Sequence, residues 1–338
     1  MTALERLQRS GIRRLGTPKR GFRYVRADGK KASVQDRKRI DALKIPPAWN
    51  DVWISATSSG AVQAIGKDAA GRLQYLYHEK QVRKRESKKF KRLIKFGEAL
   101  PKLRSTISSQ LRQPGLGRER VLATILRVLS MSFLRPGSQV YASENGSFGI
   151  ATLRPKHVKV KGDVVEFDFP GKSGVQQVRM VKDRAVAQVI RSLLKVPSRE
   201  VFKYQNGNGE FVDVKRRHIN EYIREVMGES FSAKDFRTWA GTLTCASALA
   251  RVNSEPVENT RARKRQIVQA IKETSELLGN TPAVCRSSYV CPDIINNFET
   301  GQCVKKYFGS LNELTRYRGR KHHPAEKSLL NLLKRAGK

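Results

Sequence analysis

The chain has 338 residues, and its 67 Lys and Arg against 30 Asp and Glu leave a formal net charge of +37, the balance of a protein that binds a polyanion. At roughly 100–200 residues per domain the length allows two or three domains, and an apolar content of 39% is enough to bury a core, which excludes a disordered basic tail. The longest apolar stretch, Val121 to Leu134, is interrupted by Arg127, and Glu5, Arg6 and Arg9 put charges where a secretory signal needs an apolar run, so neither a membrane span nor export is expected. Cys245, Cys285, Cys291 and Cys303 form no C-x-x-C pair and the five histidines no H-x-x-x-H spacing. The expectation is therefore a reducing, cytoplasmic setting, no metal, and buried free thiols in preference to a redox pair of Cys285 and Cys291.

Residues 1–80 read as a small domain of basic loops, one short helix and several strands. Ser33 is the N-cap of a helix from Val34 to Leu43, which Ile45-Pro46-Pro47 cannot continue. Extended segments at 52–54, 61–65 and 73–77 are separated by Ser58-Ser59-Gly60 and Asp68-Ala69-Ala70-Gly71, giving a small antiparallel sheet. From 83 to 95 the chain carries eight cations against Glu86 alone, which marks the junction to a larger, mainly helical domain over 81–338. There Val121, Leu122, Ile125, Leu126 and Leu129 recur at helical spacing up to a stop near Leu134-Arg135-Pro136-Gly137. Val158 and Val160, then Val165, Phe167 and Phe169, alternate into Pro170-Gly171-Lys172-Ser173-Gly174, and Val175 to Met180 returns, so a β-hairpin near 158–181 carries Lys172 at its tip. A basic amphipathic helix with Leu329, Leu330, Leu332 and Leu333 ends the chain, its apolar stripe expected to pack on the larger domain. The fold class is α+β.

Gly171-Lys172-Ser173 resembles the end of a phosphate-binding loop, but that motif needs glycine at 166, where Glu166 stands on a strand, so ATP use is not expected. Ser232 three residues before Asp235 is a capping-box pattern, which puts Phe236, Ala240 and Leu243 on a core stripe and Arg237 off it; the plain reading of Arg237 alone is a solvated surface arginine. Leu278-Gly279-Asn280-Thr281-Pro282 ends one helix at a glycine and starts another with Thr281 as N-cap, which brings Tyr289 about two turns in, just before Pro292. By itself an aromatic there is more often core than catalyst.

Several stretches taken together, Ile45-Pro46-Pro47-Ala48-Trp49, Leu73-Gln74-Tyr75-Leu76-Tyr77-His78, Lys234-Asp235-Phe236-Arg237-Thr238-Trp239-Ala240-Gly241-Thr242, and Gly279-Asn280-Thr281-Pro282-Ala283 with Ser288-Tyr289-Val290, resemble the poxvirus and bacterial branch of type IB DNA topoisomerases. The resemblance covers nearly all of the chain beyond the first twenty or so residues. It implies a C-shaped clamp around duplex DNA, acting as a monomer without ATP, metal or other cofactor, in a nucleoid-associated setting. It further implies that Tyr289 attacks a phosphodiester to give a 3′-phosphotyrosine, with Arg135, Arg237 and Asn280 on the phosphate, Lys172 protonating the 5′ oxygen and Lys234 on the proton path. Strand rotation then relaxes supercoils of either sign before religation. Asn280 stands where poxvirus members have histidine.

The same resemblance makes Gln74, Tyr75, Tyr77 and Tyr141 DNA contacts, and the basic run adds Arg83, Lys84, Arg85, Lys88 and Lys89. The plain alternative for Tyr75 and Tyr77 is one face of a half-buried strand, and for the basic run a solvated helix. Two rival functions are a tyrosine recombinase or integrase, which usually has His-x-x-Arg where this chain has Lys234-Asp235-Phe236-Arg237, and a non-enzymatic protein that coats DNA through charge.

Overall fold

The computed structural model describes residues 1–229, 231–252 and 260–336, without the side chains of Arg83 and Ala336, and its packing divides the chain into two units, Met1–Lys89 and Phe90–Lys338. The first opens with helix α1 (Ala3–Ser10), fixed by a reciprocal cap in which the Thr2 hydroxyl accepts from the Glu5 amide and the Glu5 carboxylate from the Thr2 amide. A hairpin of β1 (Ile12–Thr17) and β2 (Gly21–Arg26) follows, then α2 (Val34–Ala42) and strands β3 (Asn50–Ile54), β4 (Val62–Lys67) and β5 (Leu73–Tyr77). The five strands form one antiparallel sheet in the order β2-β1-β3-β4-β5.

Ser33 caps α2 as the sequence predicts, with Asp36 closing the box. The unit's small core is Ile12, Ile40, Val52, Ile54 and Ala64. Helix α1 and the β1–β2 hairpin correct the expectation of basic loops with a single helix. Their apolar alternation is hidden because arginines occupy sheet positions and cover apolar surface with their stems. Arg14 is the clearest case: buried, it lies over the Phe22 ring at 4.2 Å and donates to the carbonyls of Pro46 and Trp49, so it holds the Pro46-Pro47-Ala48-Trp49 turn in place.

Helix α3 (Glu79–Gln110) carries the basic segment, and the boundary between the two units, Lys89 to Phe90, falls within that segment. Helix α4 (Arg118–Ser132) is more deeply buried than its stripe predicts: Ala123, Thr124 and Val128 are enclosed along with Val121, Leu122, Ile125, Leu126 and Leu129. After α5 (Gln139–Asn145) comes a three-stranded antiparallel sheet, β6 (Val158–Lys161), β7 (Val164–Pro170) and β8 (Gln176–Lys182), in that order, whose Val165, Phe167 and Phe169 enter the core as their alternation requires. Then follow α6 (Arg184–Leu194), the short pair β9 (Lys203–Gln205) and β10 (Phe211–Asp213), α7 (Arg216–Met227), α8 (Ala233–Val252), α9 (Thr260–Leu278), α10 (Pro282–Tyr289), α11 (Pro292–Glu299), α12 (Leu311–Arg316) and α13 (Pro324–Ala336).

Helix α8 is the axis of this unit, buried from Asp235 to Ala250. Gly97 lets α3 approach it, since a Cβ there would meet the Trp239 ring at 2.4 Å. The leucines of α13 complete the core, as expected of the tail. Cys245, Cys285 and Cys291 are buried and all four cysteines are free thiols, with Cys285 pushed up to about 11 by burial. Among the described residues no helix is long and apolar enough to cross a membrane.

Candidate active site

Tyr289 is the last residue of α10, a helix started by Thr281, whose hydroxyl accepts from the Val284 amide, and by Pro282 in the first turn. Its main chain is held against α8. The Thr242 hydroxyl donates to the Tyr289 carbonyl at 3.1 Å and accepts from the Cys291 amide at 3.2 Å. Gly241 makes this approach possible: a Cβ there would lie 2.8 Å from the Tyr289 carbonyl oxygen and 3.0 Å from the Tyr289 Cβ. Pro292 opens α11, so the helix carrying Tyr289 stops where the sequence says it should.

Phe236, Ala240 and Leu243 face the core as predicted, but Arg237 does not face solvent; it is 3% exposed, because α8 is enclosed on every side. Its guanidinium donates to the Phe133 carbonyl at the end of α4 and, at 2.7 Å, to the Leu278 carbonyl at the end of α9, and its carbon lies over the Tyr289 ring, 5.0 Å from the centroid. Burial, then the neighbouring Arg135 charge, push Arg237 down to about 10, so it stays a cation at neutral pH. Phe133 caps α4 in the left-handed region (φ 52°), a conformation costly for a bulky side chain, and the extended chain beyond it carries Arg135. Arg135 donates to the Asn280 Oδ1. The Asn280 Nδ2 is buried with no hydrogen-bond partner, a donor still to be satisfied.

Lys172 sits in a single tight turn, Lys172–Gly174, between β7 and β8, with Ser173 and Gly174 at positive φ. It is exposed, and together with Arg135, Arg179, Arg237, Gln177 and Gly171 it lines one small cavity. Lys234, at the start of α8, is exposed, and its charge reaches Tyr289. Burial raises the phenol's pKa, but Arg237, Arg135 and Lys234 together outweigh it, and the phenol lies below its ordinary value. Among the described residues no ion pair joins Arg135, Arg179, Arg237 or Lys172 to a carboxylate, and no group of three or more His, Cys, Asp or Glu side chains is placed to hold a metal ion.

Arg179 and Gln177 were not singled out by the sequence. The available signal was their period: they share the inward phase of β8 with Val181, whereas Val178 and Met180 point outward.

In the first unit, Tyr75 and Tyr77 stack on each other (centroids 6.0 Å apart, planes at 12°) with Arg85 over Tyr77 at 3.9 Å. They lie on the edge strand β5; Tyr75 is 41% exposed and Tyr77 half-buried, while Leu76 between them packs on the core. Gln74 donates to Asp68 at 2.9 Å. Lys84, Arg85 and Lys88 are exposed on α3 and Lys89 is half-buried, while the Arg83 side chain lies outside the described residues. In the second unit Tyr141 projects from α5, largely exposed.

Guanidinium groups gathered about an acidified phenol make a site of the kind that attracts an anion such as a phosphate ester. Residues 78–308 match the family described as eukaryotic DNA topoisomerase I, catalytic core, and residues 21–68 that described as bacterial DNA topoisomerase IB, N-terminal domain. The chain is 35% identical over 272 residues to the DNA topoisomerase 1B of Acanthamoeba polyphaga mimivirus, covering 79% of this chain and 81% of that one. It is 24% identical over 263 residues to the DNA topoisomerase 1B of Vaccinia virus (strain Copenhagen), covering 76% and 80%. The chain belongs to the type IB DNA topoisomerase family.

Proposed function

We propose that this chain nicks and reseals one strand of duplex DNA through Tyr289 and so relaxes positive and negative supercoils. The observation that carries the reading is the Arg237–Tyr289 contact within a set of cations that have no carboxylate partner among the described residues. The phenol Oη attacks the phosphorus, forming a P–O(Tyr) bond while the P–O5′ bond breaks. The phenolic proton goes to water, and the Lys172 ammonium gives a proton to the departing 5′ oxygen. Arg135, Arg237 and Asn280 Nδ2 stabilise the non-bridging oxygens, each such preorganised donor being worth about 3–4 kcal/mol of barrier. Lys234 keeps the phenol acidic and stands on the proton path. The bond energy is retained in the phosphotyrosine, so the free 5′ hydroxyl can reverse the reaction without ATP or a metal ion.

In this reading residues 1–80 form a DNA-clamp domain and 81–338 the catalytic domain, the two closing as a C around the duplex. Gln74, Tyr75, Tyr77, Tyr141, Arg83, Lys84, Arg85, Lys88 and Lys89 meet DNA, and counterion release makes binding steeply salt-dependent. A monomer, cytoplasmic and associated with the nucleoid, fits this work, and the match of residues 21–68 supports a bacterial source. The test is relaxation of a plasmid without recombination sites, in EDTA and without nucleotide, alongside denaturing capture of labelled DNA. The chain should relax the plasmid and form an adduct that Tyr289→Phe abolishes while DNA binding persists. An adduct undiminished in Tyr289→Phe, or relaxation only with magnesium or nucleotide, would overturn the assignment.

A further inference from the structure

Strand β8 is built inside out. Along it Gln177 is 5% exposed and Arg179 half-buried, while Val178 and Met180 are 52% and 67% exposed, the reverse of what burial alone favours. A local rule broken this way marks a place where the buried polar groups have a task. Their contacts say which one.

Gln177 faces its own turn: its Nε2 lies 3.3 Å from the carbonyls of Val175 and Gln176, and Gly171, the residue before Lys172, packs so closely that a Cβ there would meet Gln177 Cγ at 2.7 Å. The Gln177 Oε1 in turn accepts from Arg179 Nη2 at 3.4 Å. The same Nη2 donates to the Leu277 carbonyl at 3.2 Å, and Nη1 to the Val178 carbonyl at 2.9 Å. Arg179 and Arg237 thus satisfy two consecutive carbonyls, Leu277 and Leu278, at the end of α9. The next residue, Gly279, takes the left-handed conformation (φ 58°) and has no room for a side chain, since a Cβ would lie 2.6 Å from Gln177 Oε1 and 3.2 Å from Arg179 Nη2; Asn280 follows directly. Both terminal nitrogens of Arg179 are therefore committed to main chain and to Gln177, although the residue lines the cationic cavity.

We infer that Arg179, through Gln177, is a positioning residue that ties the Lys172 turn to the end of α9, so that the proton donor and the Asn280 donor hold a fixed separation across the reacting phosphate. This rests on Lys172 acting as the acid. Without the tie the hairpin tip is located only by its own short turn and by the Phe148 amide on the Pro170 carbonyl at its base, and proton delivery to the leaving oxygen suffers first.

The experiment measures single-turnover covalent complex formation on two duplexes with the same mapped cleavage position, one with the ordinary phosphodiester and one with sulfur in the 5′ bridging position, whose thiolate departs without a proton. Arg179→Met should slow cleavage of the ordinary strand about 30-fold or more and cleave the sulfur-bridged strand within about threefold of the unaltered protein, the pattern also expected of Lys172→Ala. Gln177→Met, which cuts the link on the hairpin side alone, should show the same pattern at about fivefold. Rescue of a variant by the sulfur substrate also shows that it is folded. If Lys172→Ala is rescued but both link variants are equally slow on the two substrates, or are unimpaired on both, the positioning role is wrong. If Lys172→Ala itself is not rescued, the acid assignment falls and takes the inference with it.

Discussion

Two sets of partly or fully buried arginines in the second unit behave in opposite ways. Around α3, α4 and α13 each has a carboxylate: Arg104 meets Glu326 at 2.6 Å, Arg92 meets Asp235 at 2.8 Å, and Arg127 lies 3.7 Å from Asp183. In the cavity, Arg135, Arg179 and Arg237 have only carbonyls, an amide and a phenol for partners, and burial together with their mutual repulsion lowers the pKa of Arg179 and Arg237. The first set is neutralised in place and holds helices together. The second carries uncompensated positive charge in a desolvated space, which is favourable only once an anion enters. The lesson is that burial alone does not identify a functional arginine; the identity of its acceptors does.

Exchanging roles between the sets is the strongest way to break this contrast. Arg237→Ala should cut the cleavage rate by about 10²- to 10³-fold in a single-turnover assay, while changing unfolding free energy by no more than about 1–2 kcal/mol. Arg104→Met should do the reverse: it strands Glu326 in the interior and costs about 3–5 kcal/mol in denaturant unfolding, with the cleavage rate per folded molecule unchanged. If Arg104→Met proves catalytically defective and thermodynamically mild, the contrast is lost.

Asn280→Asp sharpens it. A carboxylate at Asn280 would pair with Arg135 and convert the cavity to the neutralised kind, so calorimetry should find a melting temperature higher by about 2–4 °C. Cleavage should be slower by about 100-fold, because a donor to the phosphate has become a repelling charge.

Gly241→Ala should lower the cleavage rate by about tenfold and stability by about 1–3 kcal/mol, since the added methyl displaces the Tyr289 main chain.

The smallest expected effect is on acidity. Because Lys234 helps to hold the Tyr289 phenol below its usual pKa, Lys234→Ala removes a cation, raises that pKa, and moves the rising limb of the cleavage pH profile to higher pH. An absorbance titration of the phenolate, differenced against Tyr289→Phe, should move in the same direction; a shift to lower pH would contradict the sign.

The sequence made the helix of Tyr289, the capped start of α8 and the Lys172 hairpin legible, because each depends on local signals: Thr281-Pro282, Ser232 with Asp235, and the alternation of Val165, Phe167 and Phe169. It did not make the burial of Arg237 legible. A helical stripe assigns the opposite face to solvent, and only the assembled unit encloses α8 on all sides. The β1–β2 hairpin was hidden for a related reason. Its arginines read as loop until Arg14 is seen against Phe22 and the carbonyls of Pro46 and Trp49. Arg179 stayed invisible because its meaning lies in a carbonyl 98 residues away.

The Thr242 hydroxyl, bonded to main chain on either side of Val290, has a kinetic corollary. With the peptide backbone at Tyr289 pinned to α8, the ring has only its two side-chain torsions in which to wander. Returning the oxygen to its starting place at the close of a cycle is then a search over a few rotamers, not over loop conformations. On this basis turnover should be paced by the travel of the nucleic acid, and loosening the pin with Thr242→Val should make reopening and rejoining slow together.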